Sequence, residues 1–264
     1  MSDFLTEICA LTRQRVEVQK RSVPPDRLKD HLKKADSPRS LEQALHRPGT
    51  VRVIAELKQA SPSAGVIRQE QDIPRRILAY ERGGAAALSI LTEEHFFHGS
   101  PHLLEEARSL SRLPILRKDF IIDPYQILES KMLGADAILL ITGLLPGAQL
   151  RDFILQAAAI GLESLVEVHD EAQLAQALQS GARVIGINNR DLRTLRVDCG
   201  NAARLLAKAP RKGITLIIES GIKSSVELPK LKSLGAHGVL IGETFMRAEN
   251  PEALVKEFTH ACRK

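Results

Sequence analysis

The 264-residue chain carries 37 Lys or Arg against 32 Asp or Glu, a net charge of +5, with 44% hydrophobic and 26% charged residues. This ordinary globular composition argues against a disordered chain, a collagen-like repeat and a long coiled coil, and the mild basic excess reads as a solvated surface. Three cysteines, Cys9, Cys199 and Cys262, are too few and too scattered for a disulfide framework or a Cys-x-x-Cys metal site, which points to a reducing compartment.

The first 50 residues open with MSDFLTEICALTRQRVEVQK, where Asp3 and Glu7 precede any base and no long apolar run occurs, so the segment is not a signal peptide. Phe4, Leu5, Ile8 and Leu11 fall on one face of an amphipathic helix. One or two helices and the proline-broken stretch Ser22 to Leu28 make this segment an N-terminal extension that packs against the rest of the chain.

From Val51 onward a pattern repeats. A glycine, often followed by alanine, closes a helical stretch and opens a short apolar run: Gly83-Gly84-Ala85 before AALSILT, Gly134-Ala135 before DAILLIT, Gly161 before LESLVEV, Gly181-Ala182 before RVIGIN, and Gly235-Ala236 before HGVLIG. Glycine fits the left-handed position just past a helix end, and the runs have the length and β-branched or Leu content of strands. With VRVIAEL (51–57), PILRKDF (114–120) and ITLIIES (214–220) the runs number eight, separated by helical periodicity. Strands alternating with helices imply right-handed crossovers and a parallel sheet. The expected fold is an α/β single-domain (β/α)8 TIM barrel over residues 1–264, with residues 1–50 as its N-terminal helical extension. An open doubly wound sheet is the rival, and no G-x-G-x-x-G follows the first run to support it. The longest uncharged stretch, Ala137 to Leu150, is interrupted by Gly143, Pro146 and Gly147 and is shorter than the roughly 20 apolar residues of a membrane span.

Barrel enzymes place chemistry at the C-terminal ends of their strands. Here those ends are charged: Glu56-Leu57-Lys58, Arg117-Lys118-Asp119-Phe120, Glu167-Val168-His169, Asn188-Asn189-Arg190 and Glu219-Ser220-Gly221. The two-residue strand period sets Glu56 and Lys58 on one side of strand 1, with Val53, Ala55 and Leu57 on the other. Three inward carboxylates and two lysines are either a catalytic mouth or a set of salt bridges tying the strands together. Ser220-Gly221 and Gly242-Glu243, with Lys58 and the Ser61-Pro62-Ser63-Ala64-Gly65 loop, favour a phosphorylated substrate. His95, His98 and His102 suit a polar loop and helix start, so no metal site is read; His169 reads as a surface histidine or one supporting the site rather than a base. No G-x-S-x-G motif and no cysteine at a strand end offers a nucleophile. Low aromatic content (3%) and the absence of Trp argue against a single-strand nucleic-acid reader.

The strings IAELKQASPSAGVI (54–67), ALSILTEEHFFHGS (87–100), LPILRKDFIIDPYQI (113–127), LVEVHDE (165–171), IGINNRDL (185–192), IIESGI (217–222) and LIGETFMR (240–247) resemble, in order, the motifs of the indole-3-glycerol-phosphate synthase family. The resemblance implies conversion of 1-(2-carboxyphenylamino)-1-deoxyribulose 5-phosphate to indole-3-glycerol phosphate, carbon dioxide and water, without a cofactor, in the cytoplasm and with association to other tryptophan-pathway enzymes open. By resemblance Lys118 is the general acid of ring closure and Glu167 the base, and either Lys58 or Lys118 is the acid of dehydration. Glu56 and Glu219 hold the lysines, and Asn188 and Arg190 bind the ribulose-derived chain. Phe97 and Phe120 wall the anthranilate ring, with barrel core the other reading of Phe120. Phosphate contacts fall to Lys58, Ser61, Ser220, Gly221, Gly242 and, through its backbone N–H, Glu243. The loop Gln59 to Ile67 is expected to be a lid. Two alternatives remain: phosphoribosylanthranilate isomerase, whose family is expected to carry a Cys at strand 1 and an Asp at strand 6 where this chain has Glu56 and Asn188, and a non-catalytic basic scaffold.

Overall fold

The computed structural model describes residues 4–32, 38–210 and 212–261; Asp3 and Cys262 lie outside them. Eight strands form the barrel: β1 (Arg52–Leu57), β2 (Ala87–Leu91), β3 (Ile115–Lys118), β4 (Ala137–Ile141), β5 (Glu163–Val168), β6 (Val184–Asn188), β7 (Thr215–Glu219) and β8 (Gly238–Ile241). Each pairs in parallel with the next, and β1 closes on β8 from Arg52 opposite Gly238 to Ala55 opposite Ile241. That closure excludes the open-sheet rival.

Three helices, α1 (Phe4–Ser22), α2 (Pro25–Leu32) and α3 (Leu41–Leu45), precede the barrel. The strands are then followed by α4 (Ile73–Arg82), α5 (Pro101–Leu110), α6 (Pro124–Met132), α7 (Gly147–Ala159), α8 (Glu171–Gln179), α9 (Gly200–Lys208) and α10 (Leu228–Ser233), and the chain continues through α11 (Glu243–Met246) to α12 (Pro251–Ala261). Asp72, Ser100, Asp123 and Asp170 start α4, α5, α6 and α8 by accepting backbone N–H groups of the first turn. At the other ends, Gly84, Gly134, Gly161, Gly181 and Gly235 take φ between +74° and +97°, the left-handed turn that the glycine pattern requires.

The two-residue period separates two cores. Ile54, Leu116, Leu139, Leu165, Ile217 and Leu240 point into the barrel, while Val53, Ala55, Val166, Ile185, Ile218 and Val239 pack against the helices. The N-terminal segment differs from expectation in two respects. The buried stripe of α1 is Ile8, Thr12 and Val16, with Cys9 beside it, while Leu11 is half-buried. A third helix, α3, adds Leu41 and Leu45 to the interior cluster and plugs the N-terminal end of the barrel; Gly238 leaves room for Leu45, whose Cδ2 would lie 3.2 Å from a Cβ there.

Helix α1 is tied to the segment after β3 by Arg15 Nη2 on Asp119 Oδ2 at 2.9 Å and Lys20 Nζ on Asp123 Oδ2 at 2.8 Å. Asp119 also accepts from Arg117, which is fully buried between β3 and α6 and pairs with Glu129 at 2.8 Å. Burial would raise the Asp119 pKa, but Arg117 and Arg15 outweigh it and bring it down to about 2. No described helix is long and apolar enough to cross a membrane.

Candidate active site

Glu56 on β1, Lys118 on β3, Glu167 on β5 and Glu219 on β7 all take the inward parity, directly above the interior apolar cluster. Barrel interiors stack in layers drawn from alternate strands, and here one such layer is made of charged groups. Lys118 Nζ donates to Glu167 Oε2 at 3.0 Å and to Glu219 Oε2 at 2.5 Å. Lys58 Nζ pairs with Glu56 Oε1 at 2.8 Å. Asn188 Nδ2, at the end of β6, donates to Glu167 Oε1 at 3.1 Å. The three glutamates are nearly fully buried, so this is a desolvated ionic cluster at the bottom of an open mouth.

Burial alone would lower the Lys118 pKa; the charges of Glu219, Glu167 and Glu56 outweigh it and hold the ammonium well above the ordinary lysine range. For Glu167, burial is likewise outweighed, by Lys118, His169 and Asn188, and its carboxyl stays well below the usual range. Glu219 goes the other way. Burial, reinforced by Glu167 and Glu56 against the pull of Lys118, pushes it up to about 7. One lysine between two carboxylates thus keeps one of them firmly ionised and leaves the other near its titration midpoint at neutrality.

Two inward glycines make the layer possible. A Cβ on Gly186 would lie 2.0 Å from Glu219 Oε1, and one on Gly242 would lie 2.2 Å from Glu56 Oε1. Neither position tolerates a side chain without moving a carboxylate. Gly242, expected only as a phosphate contact, therefore also makes space for Glu56.

The cluster forms the floor of a cavity of about 870 Å³ lined by every residue expected at the site: Glu56, Lys58, Ser61, Phe97, Lys118, Phe120, Glu167, Asn188, Arg190, Glu219, Ser220, Gly221, Gly242 and Glu243. On the β7–β8 side, Ser220 and Gly221 have φ of +65° and +81°, and a Cβ on Gly221 would meet Val197 Cγ1 at 2.9 Å. The Glu243 carboxylate is engaged by Arg247 Nη2 at 3.0 Å. On the opposite side Phe97 and Phe120 lie 6.1 Å apart between ring centroids, and Phe120 also belongs to the interior cluster, so it is both wall and core. Glu93 fixes the loop of Phe97 by accepting the backbone N–H groups of His95, Phe96 and Phe97 at 2.8–3.0 Å. The expected lid carries a two-stranded antiparallel hairpin, Ala60–Ser61 against Gly65–Val66, tied to the Phe97 loop through Ala60 N–H on Phe97 O at 3.2 Å.

The sequence did not identify Phe4, Gly186, Leu192 or Arg247 as site residues. Phe4, from α1, lines the cavity and meets Phe96 edge-on at 5.1 Å and Phe120 at 6.1 Å. Only Gly186 left a signal, a glycine inside a strand, which marks close approach. Among the described residues, no group of three or more His, Cys, Asp or Glu is arranged to hold a metal ion.

A family model described as indole-3-glycerol phosphate synthase matches residues 5–258. The chain is 45% identical over 254 residues to the indole-3-glycerol phosphate synthase of Carboxydothermus hydrogenoformans, covering 94% of this chain and 96% of that one. It is 49% identical over 215 residues to the enzyme of the same name from Acetivibrio thermocellus, covering 81% and 82%. Among solved structures, 3-hexulose-6-phosphate synthase from Salmonella typhimurium superposes with a TM-score of 0.65 at 13% identity, covering 80% of this chain and 98% of that one, a likeness of fold alone.

Proposed function

The chain belongs to the indole-3-glycerol phosphate synthase family, and from that premise we propose how the mouth residues divide the reaction. The activity is a decarboxylating ring closure in tryptophan biosynthesis, acting on a phosphorylated small molecule.

The observation that carries the assignment is Lys118, held as an ammonium between Glu167 and Glu219 at the cavity floor. In 1-(2-carboxyphenylamino)-1-deoxyribulose 5-phosphate the aromatic carbon bearing the carboxylate attacks the C2 ketone, and the ketone oxygen becomes an alkoxide. Lys118 donates its proton there. An alkoxide is a stronger base than an amine, so even a lysine of raised pKa gives up its proton once the charge has formed, while its positive charge stabilises the transition state. Glu219 is in direct contact with Lys118, and burial raises its pKa toward neutrality, which suits it to replenish the lysine. Carbon dioxide then leaves and aromaticity returns to the benzene ring. Dehydration needs an acid for the departing hydroxyl, which the ring nitrogen's electrons push out, and a base for the proton then lost from the C1 methylene, so that the indole double bond forms and the nitrogen keeps its hydrogen. Glu167 serves as the base because it stays ionised, and Lys58 serves as the acid because its partner is Glu56 rather than the base itself.

Phe97, Phe120 and Phe4 wall the anthranilate ring; Asn188 and Arg190 hold the ribulose-derived chain; Lys58, Ser61, Ser220, Gly221, Gly242 and the backbone of Glu243 take the phosphate. We read the chain as one barrel unit with residues 1–50 as its extension, working in the cytoplasm, with other enzymes of the pathway as candidate associates.

The test is indole fluorescence after the substrate is added to purified protein without added metal or cofactor; with no Trp in the chain the background is low. A rise that Lys118→Ala abolishes while substrate affinity is largely kept supports both reaction and acid. An active Lys118→Ala protein refutes the assignment of the acid.

A further inference from the structure

The two oxygens of Glu167 have different surroundings. Oε2 accepts from Lys118, whereas Oε1 accepts from Asn188 and lies 3.3 Å from His169 Nε2, an ion-pair distance at which the ring N–H is not aligned for a hydrogen bond. The imidazole stands in the β5–α8 loop, two residues beyond Glu167, and faces back onto it beside Gln173 of α8. Gln173 Oε1 accepts the His169 backbone N–H at 2.9 Å and the Thr142 hydroxyl at 2.7 Å, and stands 3.2 Å from His169 Nδ1. The backbone N–H identifies that amide atom as an acceptor, so Nδ1 carries a proton. A neutral ring of this tautomer would aim its Nε2 lone pair at a carboxylate. The 3.3 Å contact is attractive only when Nε2 is protonated as well. His169 is then a cation behind the charged floor, which joins Lys58 and Lys118 in facing the carboxylates Glu56, Glu167 and Glu219.

We propose that His169 is a positioning residue for Glu167: an imidazolium anchored by Gln173 that, with Asn188, fixes Oε1 and leaves Oε2 as the oxygen that takes the proton. The proposal rests on Glu167 being the base. The charged groups facing the imidazole are Glu167 on its own strand, Glu219 from β7 and Asp191 from the loop after β6, with Lys118 on the far side of Glu167. Helices α8 and α9 contribute uncharged groups, Gln173 and Asn201, the latter donating to His169 O at 2.9 Å. Burial lowers the His169 pKa, but Glu167, Gln173 and Glu219 outweigh it, so the ring titrates above the ordinary histidine value. The clamp is therefore present below that raised pKa and is lost as pH rises through it.

The experiment pairs kcat and KM profiles against pH with 15N NMR of the imidazoles. The variants are His169→Leu, which removes donor and charge, and His169→Gln, which keeps a neutral donor. His169→Leu should lower kcat roughly tenfold with KM within about twofold, since a supporting contact made to the base acts on the chemical step. His169→Gln should recover most of that loss at neutral pH and lack the alkaline limb of the parent. In the parent, the resonance missing from His169→Gln should carry its proton on Nδ1 and titrate above the ordinary value, and Glu167→Gln should lower that titration. A neutral Nε2–H tautomer at pH 7, or parental kcat and pH profile in His169→Leu, overturns the proposal. A fully active Glu167→Gln protein would remove the base assignment instead, while the imidazole resonance still decides whether His169 binds Glu167.

Discussion

Replacing Gly186 with alanine adds one methyl group at the inward position of β6, paired in register with Glu167. That Cβ would lie 2.0 Å from Glu219 Oε1, 3.1 Å from its Cδ and 3.4 Å from Leu165 Cδ1. The backbone here is not left-handed, so the change adds volume and no φ strain. Ordinary contact begins near 3.4 Å, so the carboxylate oxygen must retreat by about 1.4 Å. A shift of that size takes Glu219 Oε2 from 2.5 Å out of hydrogen-bond range of Lys118. Misplacing a catalytic group by about 1 Å costs up to roughly 100-fold in rate, and overpacking a filled interior costs about 1–3 kcal/mol. We expect kcat to fall roughly 100-fold with KM within about threefold, because the phosphate and aromatic walls are untouched, and Tm to drop by a few degrees. Fluorescence of the indole product and thermal unfolding measure both. Gly147→Ala, whose added Cβ would meet Gln176 Cγ at 3.8 Å, is the control and should behave as the parent. Parental kcat in Gly186→Ala would refute the idea that Glu219 must touch Lys118.

Glu167→Gln should lower turnover less severely than Lys118→Ala, on the order of 100-fold for loss of a general base, and change the pH profile of kcat; an unchanged profile would take Glu167 out of that role. Gly221→Ala combines a φ of +81° with a 2.9 Å clash on Val197, so KM should rise about tenfold with kcat nearly kept, and an unaltered KM would place the phosphate elsewhere. Asp119, brought down to about 2, contributes stability that is fully present above about pH 4 and is lost as pH falls through 2, on the order of 2 kcal/mol. Urea unfolding should show Asp119→Asn less stable at pH 7 and less sensitive to acid, and equal acid slopes in the two proteins would contradict the pairing. Hydrogen exchange over Gln59 to Ile67 should slow with a bound substrate analogue, and equal exchange would deny the loop a closing motion.

The barrel was legible because its signals are local. The two-residue alternation in ILRK or ESLVEV decides which side chains enter the lumen, and a glycine past the end of five of the helices announces the next strand. The charged floor followed from parity: Lys118 is inward and its neighbours Arg117 and Asp119 point into the β3–α6 interface, where they meet Glu129 and Arg15. What local signals do not carry is who meets whom across the fold. Phe4 reaches the cavity and Arg15 reaches Asp119, 104 positions along the chain, only because α1 docks on the finished mouth. Helix α3 is five residues long, too short for a period to declare it. Gly186 was visible as a break in a strand, but the carboxylate that fills its place comes from a different strand.

The layered floor also bears on how this barrel can change over generations. Three carboxylates, Glu56, Glu167 and Glu219, and the lysines Lys58 and Lys118 face one another within a few ångströms above the apolar interior. Losing one basic group leaves a buried acid without a counter-charge, a defect of several kcal/mol before any effect on chemistry. Single substitutions there are therefore doubly penalised, in folding and in turnover. A descendant with a different reaction would reach it through matched replacements, acid and base together, while the loops above the floor vary one residue at a time.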